Sequence, residues 1–290
     1  MKISAKLVKE LRDITSAGML DCQKALKESE GDLEKAVDII RKSGKSTAAK
    51  KSSRVSADGV IVGKAKSGSA ILLEINCETD FVARDKSFLE FADKVAELAL
   101  SKDIKDVSAI GDLELDSSTV EVARQNLIAK IGENINIRRM TSISGSNLGV
   151  YIHSSKIGAI ASLTGGSDSD SRDIAMHVVS SKPSFLNPSD ISQDVIDRER
   201  SVQLELAAKS GKPAAIAEKM VDGRMNKFSD EISLTGQNFV KDPSIKVSEF
   251  LKQRDASVNS FAMLELGFGI EKAKDDFASE VASQIAASKK

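Results

Sequence analysis

The chain has 290 residues and 42 Lys+Arg against 43 Asp+Glu, so it lacks the basic excess that displaces counterions from nucleic acid. Trp is absent and Tyr occurs once, too few aromatic faces for a base-stacking platform. No apolar run approaches the ~20 residues of a membrane span, and the length predicts two or more modules.

Cys22 and Cys77 form neither a CxxC pair nor a disulfide framework. The opening Met1-Lys2-Ile3-Ser4-Ala5-Lys6 is charged and carries no apolar signal-peptide core. Together these predict a reducing, cytoplasmic setting.

Residues 3–43 read as three short helices. Ser4 can cap the first, with Leu7, Val8 and Leu11 on one face, and Gly18 breaks it. Asp21 opens the second, with Ala25 and Leu26 inward. Gly31-Asp32 ends that helix and caps a third, whose Leu33, Ala36, Val37 and Ile40 keep a 3.6 period. So small a unit is usually a binding module, and it resembles the ubiquitin-associated type of fold, whose corresponding loop is a common docking surface. In that loop Met19 and Leu20 either dock a partner or complete the small core, and the sequence leaves both open.

Residues 43–57 are basic and serine-rich and read as a solvated tether, with lysines that could meet an acidic partner. Gly44-Lys45-Ser46 imitates the end of a phosphate-binding loop. The position that needs the earlier glycine is Ile39, and a helix precedes it where a strand is required.

From residue 58 the period changes to two. Val60-Ile61-Val62 and Ile71-Leu72-Leu73-Glu74-Ile75 flank Lys66-Ser67-Gly68-Ser69, which predicts a hairpin. A helix starts near Asp85 and carries Phe88, Phe91, Val95, Leu98 and Ala99. Glu78-Thr79-Asp80-Phe81-Val82 lies between strand and helix. Locally, Thr79 or Asp85 can cap the helix and Phe81 can fold back as a hydrophobic staple. An acidic loop with a short helix is expected over 101–117. A helix is expected over Ser118–Ile131 with Val122, Leu127 and Ile128 inward, followed by a strand with Ile135, Ile137 and Ile143.

A similar order starts again at Gly149-Val150, as it did at Gly59-Val60. Two strands flank Ser154-Ser155-Lys156, a helix covers about Ser171–Ser181, and Val258–Leu264 supplies a late closing strand. This predicts an internal duplication of hairpin, helix and closing strand. Where the first copy has Thr79-Asp80-Phe81, the second has Gly165-Gly166-Ser167-Asp168. A core requirement would appear in both copies, so the asymmetric Phe81 points to an external partner.

Residues 183–228 interrupt the second copy. Ile191, Val195, Val202 and Leu206 form a narrow seam on a charged helix, Gly211-Lys212-Pro213 turns, and Ile216, Met220, Arg224 and Phe228 return. This predicts a projecting helical hairpin, packed on itself or offered to a partner. Phe277, Val281 and Ile285 predict an amphipathic C-terminal helix.

Catalytic constellations are missing. His153 and His177 are the only histidines; neither a Gly-x-Ser-x-Gly elbow nor a Cys/His pair occurs, and a zinc site would need all four Cys and His at spacings that fit none. A binding protein without cofactor, metal or enzymatic activity is expected.

Four blocks then resemble one family. They are Leu7-Val8-Lys9-Glu10-Leu11-Arg12; Asn76-Cys77-Glu78-Thr79-Asp80-Phe81-Val82-Ala83; Ile131-Gly132-Glu133-Asn134-Ile135-Asn136-Ile137-Arg138-Arg139; and Leu234-Thr235-Gly236-Gln237. They are similar to bacterial translation elongation factor Ts, in order along essentially the whole chain. The resemblance implies a guanine-nucleotide exchange factor for the GTPase elongation factor Tu. It also implies that Thr79, Asp80, Phe81 and Val82 enter the GTPase domain and disturb its magnesium site. Arg12, Met19, Leu20 and His153 become further partner-binding candidates, and the arm a possible homodimer contact. A ribosome- or chaperone-associated interaction protein without exchange activity is the alternative.

The expected fold class is α+β. A UBA-like domain covers 1–44, a linker 45–57, and a core N-terminal subdomain 58–145. The core C-terminal subdomain takes 146–182 and 229–266, a coiled-coil hairpin is inserted at 183–228, and a helical module spans 267–290. Both core halves are expected to hold antiparallel sheets.

Overall fold

The computed structural model describes residues 3–15, 17–209 and 213–271. The expected C-terminal helix with Phe277, Val281 and Ile285, and the arm's Gly211-Lys212 turn, lie outside the described residues.

Three helices open the chain: α1 (Ala5–Thr15), α2 (Met19–Glu28) and α3 (Leu33–Lys51). Ser4 Oγ accepts from Leu7 N at 3.2 Å, and Asp32 caps α3 by accepting from Lys35 N at 3.0 Å. Leu11, Ala17, Cys22, Ala25, Leu26, Ala36 and Ile40 close the small core. The second helix starts at Met19, ahead of the expected Asp21.

The tether expected over 45–57 is corrected: α3 runs through it to Lys51. Gly44 and Ala48 are the reason. Small side chains let α3 approach α5 (Val120–Ile131), where a Cβ on Gly44 would stand 3.2 Å from Asn126 Oδ1. The glycine that looks like a breaker is a helix-packing residue. Lys51 Nζ donates to Gly132 O at 2.6 Å and Asn126 Nδ2 to Thr15 O at 3.3 Å, so the three-helix unit is clamped to the core. Lys51 thereby satisfies the carbonyl just beyond the end of α5.

The first sheet holds β1 (Asp58–Lys66), β2 (Gly68–Cys77) and β5 (Asn136–Gly145), all antiparallel in the order β1-β2-β5. Between β2 and β5 come α4 (Lys86–Ser101), a 3₁₀ turn at Val107–Ala109, the short ribbon β3 (Glu114–Leu115) and β4 (Ser118–Thr119), and α5. The second sheet holds β6 (Asn147–His153), β7 (Ile157–Thr164) and β10 (Ser257–Glu265) in the order β10-β7-β6. Its helix is α6 (Asp168–Ser181). The ribbon β8 (Asn238–Phe239) and β9 (Asp242–Lys246) and the short α9 (Val247–Lys252) precede β10.

Ile61, Ala70, Leu72, Ile160 and Leu264 are buried between the sheets. The outer face of the first sheet packs on Phe88, Val95, Leu127 and Ile128 of α4 and α5. That of the second packs on Ile174, Val178, Phe250 and Leu251 of α6 and α9. The result is a mixed helix and antiparallel-sheet core, sheet on sheet with helices outside.

Element order repeats as expected, and in both halves the closing strand pairs with the second hairpin strand. Each closing strand also bulges near its start, skipping Arg138 in one and Asn259 in the other. The two Gly-Val pairs are not equivalent. Gly59 has φ +135° and faces Asn76 near the end of its strand, whereas Gly149 faces Ala161 within the edge strand β6. A Cβ on Gly149 would come 2.0 Å from the Ser171 backbone of α6, so only glycine allows this contact.

The arm is α7 (Gln193–Ala208) and α8 (Ala214–Ile232). Its expected seam is corrected: Val202 and Leu206 are 46% and 49% exposed, and Ile216 is exposed on the return. The helices meet through Ile196 and Ala207 against Ala217, Val221, Met225 and Phe228. The return face is one residue out of phase with the Ile216, Met220, Arg224 series. Alanines at 207 and 217 let the helices close, and a count of bulky side chains misses them.

Candidate functional site

The turn after β2 is built from both ends. On its C-terminal side, Asp85 caps α4, its Oδ1 accepting from Ser87 N at 2.8 Å and Phe88 N at 3.1 Å. Val82 and Ala83 pack onto the first core half. Backbone N–H groups of Ala83, Arg84 and Asp85 fold back on Thr79, Phe81 and Val82 carbonyls in a single 3₁₀ turn.

On its N-terminal side the partner is Glu133, from the loop after α5. Its Oε2 accepts from Glu78 N and Thr79 N, both at 3.0 Å, and its Oε1 from Thr79 Oγ1 at 2.7 Å. Glu78 returns the contact: its Oε1 accepts from Asn134 N at 2.6 Å, and Arg54 lies 3.5 Å from its other oxygen. Asn134 Nδ2 in turn donates to Arg54 O at 2.9 Å. Beneath the turn, Cys77 Sγ donates to Thr79 O at 3.2 Å. Burial, reinforced by the nearby Glu133 and Asp58 charges, pushes the Cys77 thiol up to about 12, so it stays protonated and is no nucleophile.

Phe81 sits at the apex, 82% exposed. The staple alternative is thereby overturned: Asp85 caps the helix, and Phe81 belongs to no hydrophobic cluster among the described residues. Burying a phenylalanine stabilises a fold by about 2–3 kcal/mol, and Phe81 forgoes this while its backbone is held. Asp80 accepts from Arg84 Nη2 at 2.7 Å in a surface pair. Among the described residues no cluster of three His, Cys, Asp or Glu side chains could hold a metal ion.

Met19 and Leu20 are 62% and 71% exposed at the start of α2 and outside the small core, which overturns their core alternative. Arg12 is exposed in the last turn of α1. A cleft of about 380 Å³ lies between the three-helix unit and the core, lined by Ile14 and Arg41 on one side and Ser87, Phe91 and Lys130 on the other. Ser87 belongs to the first turn of α4, so the end of α1 and the start of α4 line the same cleft. His153 lies elsewhere, at the end of β6, exposed, with Tyr151 Oη 3.3 Å from its Nδ1. It rims a separate cavity of about 550 Å³ with Lys156, Lys182 and Glu265. No described hydrogen bond joins it to the Phe81 turn.

Two carboxylates escaped the sequence reading. One is Glu133, inside the Ile131–Arg139 block that the resemblance singled out. The other is Glu74, fully buried, whose oxygens accept from Gly267 N at 2.8 Å, Asn76 Nδ2 at 3.0 Å and Arg138 Nη1 at 3.0 Å, and from Arg139 Nε. Burial would raise its pKa, but the Gly267 N–H, Arg139 and Asn76 outweigh that and hold it below the usual range. Arg138 Nη2 also donates to Phe268 O at 2.8 Å, fastening the turn after β10 to the first sheet. A lone Glu in an otherwise apolar strand was the available signal.

The family model described as Elongation factor TS matches residues 78–268, from the first residue of the held turn to the turn that Arg138 fastens. An Elongation factor Ts of Psychromonas ingrahamii is 57% identical over 288 residues, covering 99% of each chain. Those of Idiomarina loihiensis and Aeromonas hydrophila are 53% identical over 291 residues and 52% over 289, covering 100% and 99% of each chain. With full-length relatives above half identity and the family model over most of its length, the chain belongs to the elongation factor Ts family.

Proposed function

We propose that this chain binds elongation factor Tu and promotes release of its GDP, acting as an exchange factor that makes and breaks no covalent bond. The observation that carries this reading is Phe81, 82% exposed on a turn held from both sides. A GTPase grips its nucleotide with a phosphate-cradling loop and Mg²⁺. A protein that binds the emptied GTPase better than the loaded one must weaken the nucleotide by the same factor. Thr79–Val82 is the wedge: Phe81 enters between partner helices, displaces the elements around the magnesium, and the ion and GDP follow. Asp80, paired with Arg84, meets partner backbone or a basic side chain and leaves the metal alone.

In this reading Arg12, Met19 and Leu20 of the three-helix unit, UBA-like in form, give the GTPase a second foothold across the cleft. His153 serves another domain of the same partner. The arm is a coiled-coil hairpin, and its exposed Val202, Leu204 and Leu206 are where a second copy would pair. The setting is the cytoplasm.

Elongation factor Tu carrying a fluorescent GDP analogue, chased with excess GDP, tests this. The chain should accelerate release, and Phe81→Ala should cut the acceleration about 30-fold or more, as for an interface anchor worth about 2 kcal/mol. Melting should stay within about 0.5 kcal/mol, since an exposed side chain is removed. Tight binding without acceleration would leave the interaction-protein alternative standing. A large loss of stability would return Phe81 to a structural role.

A further inference from the structure

We propose that Glu133 is a positioning residue that presents Phe81 to the partner, a role that rests on the exchange reading above. Phe81 is mostly exposed and joins no hydrophobic cluster among the described residues. Its backbone is fixed by what lies on either side, and the two sides are fixed differently. After it, Val82 and Ala83 pack against the core and Asp85 is a helix cap. Before it, Glu78 and Thr79 carry no core side chain, and their two N–H groups and one hydroxyl all end on the Glu133 carboxylate. Hydrogen bonds to a charged acceptor are the strong kind, and three on one carboxylate leave the turn little freedom to pivot about Val82.

The clasp is reciprocal and reaches further. Asn134, next to Glu133, donates its backbone N–H to Glu78, and its side chain holds Arg54 O just past the end of α3. Lys51 holds Gly132 O from the same side. One short loop, Gly132-Glu133-Asn134, therefore grips both the Phe81 turn and the root of the three-helix unit. Glu133 fixes the wedge relative to the surface carrying Met19 and Leu20, so that one GTPase domain can meet both without reordering either. Pre-organisation of this kind lowers the cost of binding. Among the described residues the second core half has no distant carboxylate accepting the turn's backbone N–H groups: Ser167 and Asp170 close that turn as a capping box, braced by Asn147 on the Gly165 and Ser167 carbonyls and by Arg254 on Asp170.

The test uses the full chain and four variants: Glu133→Ala, Glu133→Gln, Phe81→Ala, and the double variant Phe81→Ala with Glu133→Ala. Release of the fluorescent GDP analogue is measured over a range of exchange-factor concentration, separating maximal rate from half-saturation. Amide hydrogen exchange is followed across 76–84 in the free protein. Loss of the carboxylate should lower the maximal rate about tenfold and open the Glu78 and Thr79 amides, with the β1 and β2 amides unmoved. Gln keeps an oxygen for those N–H groups and should stay within about threefold. The double variant should be no slower than Phe81→Ala, because Glu133 works through Phe81. Wild-type rates in Glu133→Ala while Phe81→Ala is slow would overturn the positioning role and leave the wedge intact. So would additive losses in the double variant, or amides that open across the whole core. Wild-type rates in Phe81→Ala would sink the wedge and the positioning role together.

Discussion

The two core halves share one plan and differ in the connections they lengthen. In the second half β7 passes to α6 through Gly165-Gly166-Ser167, and the turn is closed by a capping box in which Ser167 and Asp170 satisfy each other's backbone. Asn147 Nδ2 ties down the Gly165 and Ser167 carbonyls at 2.9 and 3.2 Å. Arg254 Nε donates to Asp170 Oδ1 at 2.7 Å, and no large apolar side chain is left outside in this link. In the first half the same passage takes Glu78 to Asp85, needs a carboxylate from a distant loop, and leaves a phenylalanine outside. The longer connection in the second half falls between α6 and β10, and it carries the arm. Parts that exceed the folding requirement of the repeat are the parts to test for partners.

The largest difference is expected at matching register positions facing the bulges. Glu74 faces Arg139 across the Arg138 bulge, and Ser162 faces Ser260 across the Asn259 bulge. Glu74→Ala would leave Arg138 and Arg139 without their carboxylate and release the turn after β10. Breaking a buried pair this way costs about 3–5 kcal/mol. Ser162 Oγ is buried and has no hydrogen-bond partner among the described residues, so Ser162→Ala should stay within about 1 kcal/mol of neutral. Urea unfolding of both variants checks this. Equal effects would mean the Glu74 network merely fills space, and that the halves differ less than their side chains suggest.

How the sequence could be read follows from the same contrast. Hairpins, α4 and the closing strands were legible because apolar side chains alternate or recur on one face; α5 was legible through Leu127 and Ile128, but Val120, not the expected Val122, completes its buried face. The repeat was legible because element order survives where residues change. The extension of α3 was not, because Gly44 and the serines after it count as breakers locally and only the approach to α5 rewards the small side chain. The arm's seam was misphased because Ala207 and Ala217 weigh little by hydropathy but set the helix spacing. At the turn, the sequence singled out Thr79–Val82 and left open whether Phe81 was a staple; exposure decides against that. Glu133 could not be found, since its partners are 54 and 55 positions away and a single glutamate in a loop carries no periodic signal.

A smaller effect compares the two helix starts. Asp85→Ala removes an acceptor used by Ser87 N and Phe88 N, and Ser167→Ala removes half of a capping box. Each should cost about 1 kcal/mol. They should part company in the exchange assay: Asp85 borders the Phe81 turn and its loss should slow GDP release several-fold, whereas Ser167→Ala should leave release unchanged. Equal rates would show that the turn tolerates the loss of its helix cap, with Val82, Ala83 and Glu133 sufficient to hold it.

The smallest effect is a pH dependence confined to one half. The core face of α4 (Phe88, Phe91, Ala92, Val95, Ala96, Ala99) carries no ionisable group, but the same face of α6 carries His177, fully buried. Its Nδ1 accepts from Val240 N at 3.1 Å, so Nε2 holds the proton and donates to Gln237 Oε1 at 2.9 Å. Gln237 Nε2 then donates to Glu231 O at 2.7 Å, in the last turn of α8, so a neutral His177 anchors the base of the arm. Burial lowers its pKa below the ordinary 6.5, with the Gln237 contact opposing only in part. The sign follows. Above about pH 6.5 both folded and unfolded chains hold a neutral imidazole and the stability is fully present. As pH falls below that value the unfolded chain takes up the proton first, and stability declines until the folded pKa is reached. Urea unfolding between pH 7.5 and 5.5 should show the decline, and His177→Gln should flatten it while lowering stability throughout. Amide exchange should quicken near Gln237 and Val240 as pH is lowered, after correction for intrinsic rates, and stay constant in β1 and β2. A slope that survives in His177→Gln would place the titrating group elsewhere. A change that reached the first sheet would show that the halves unfold as one body, however differently their connections are built.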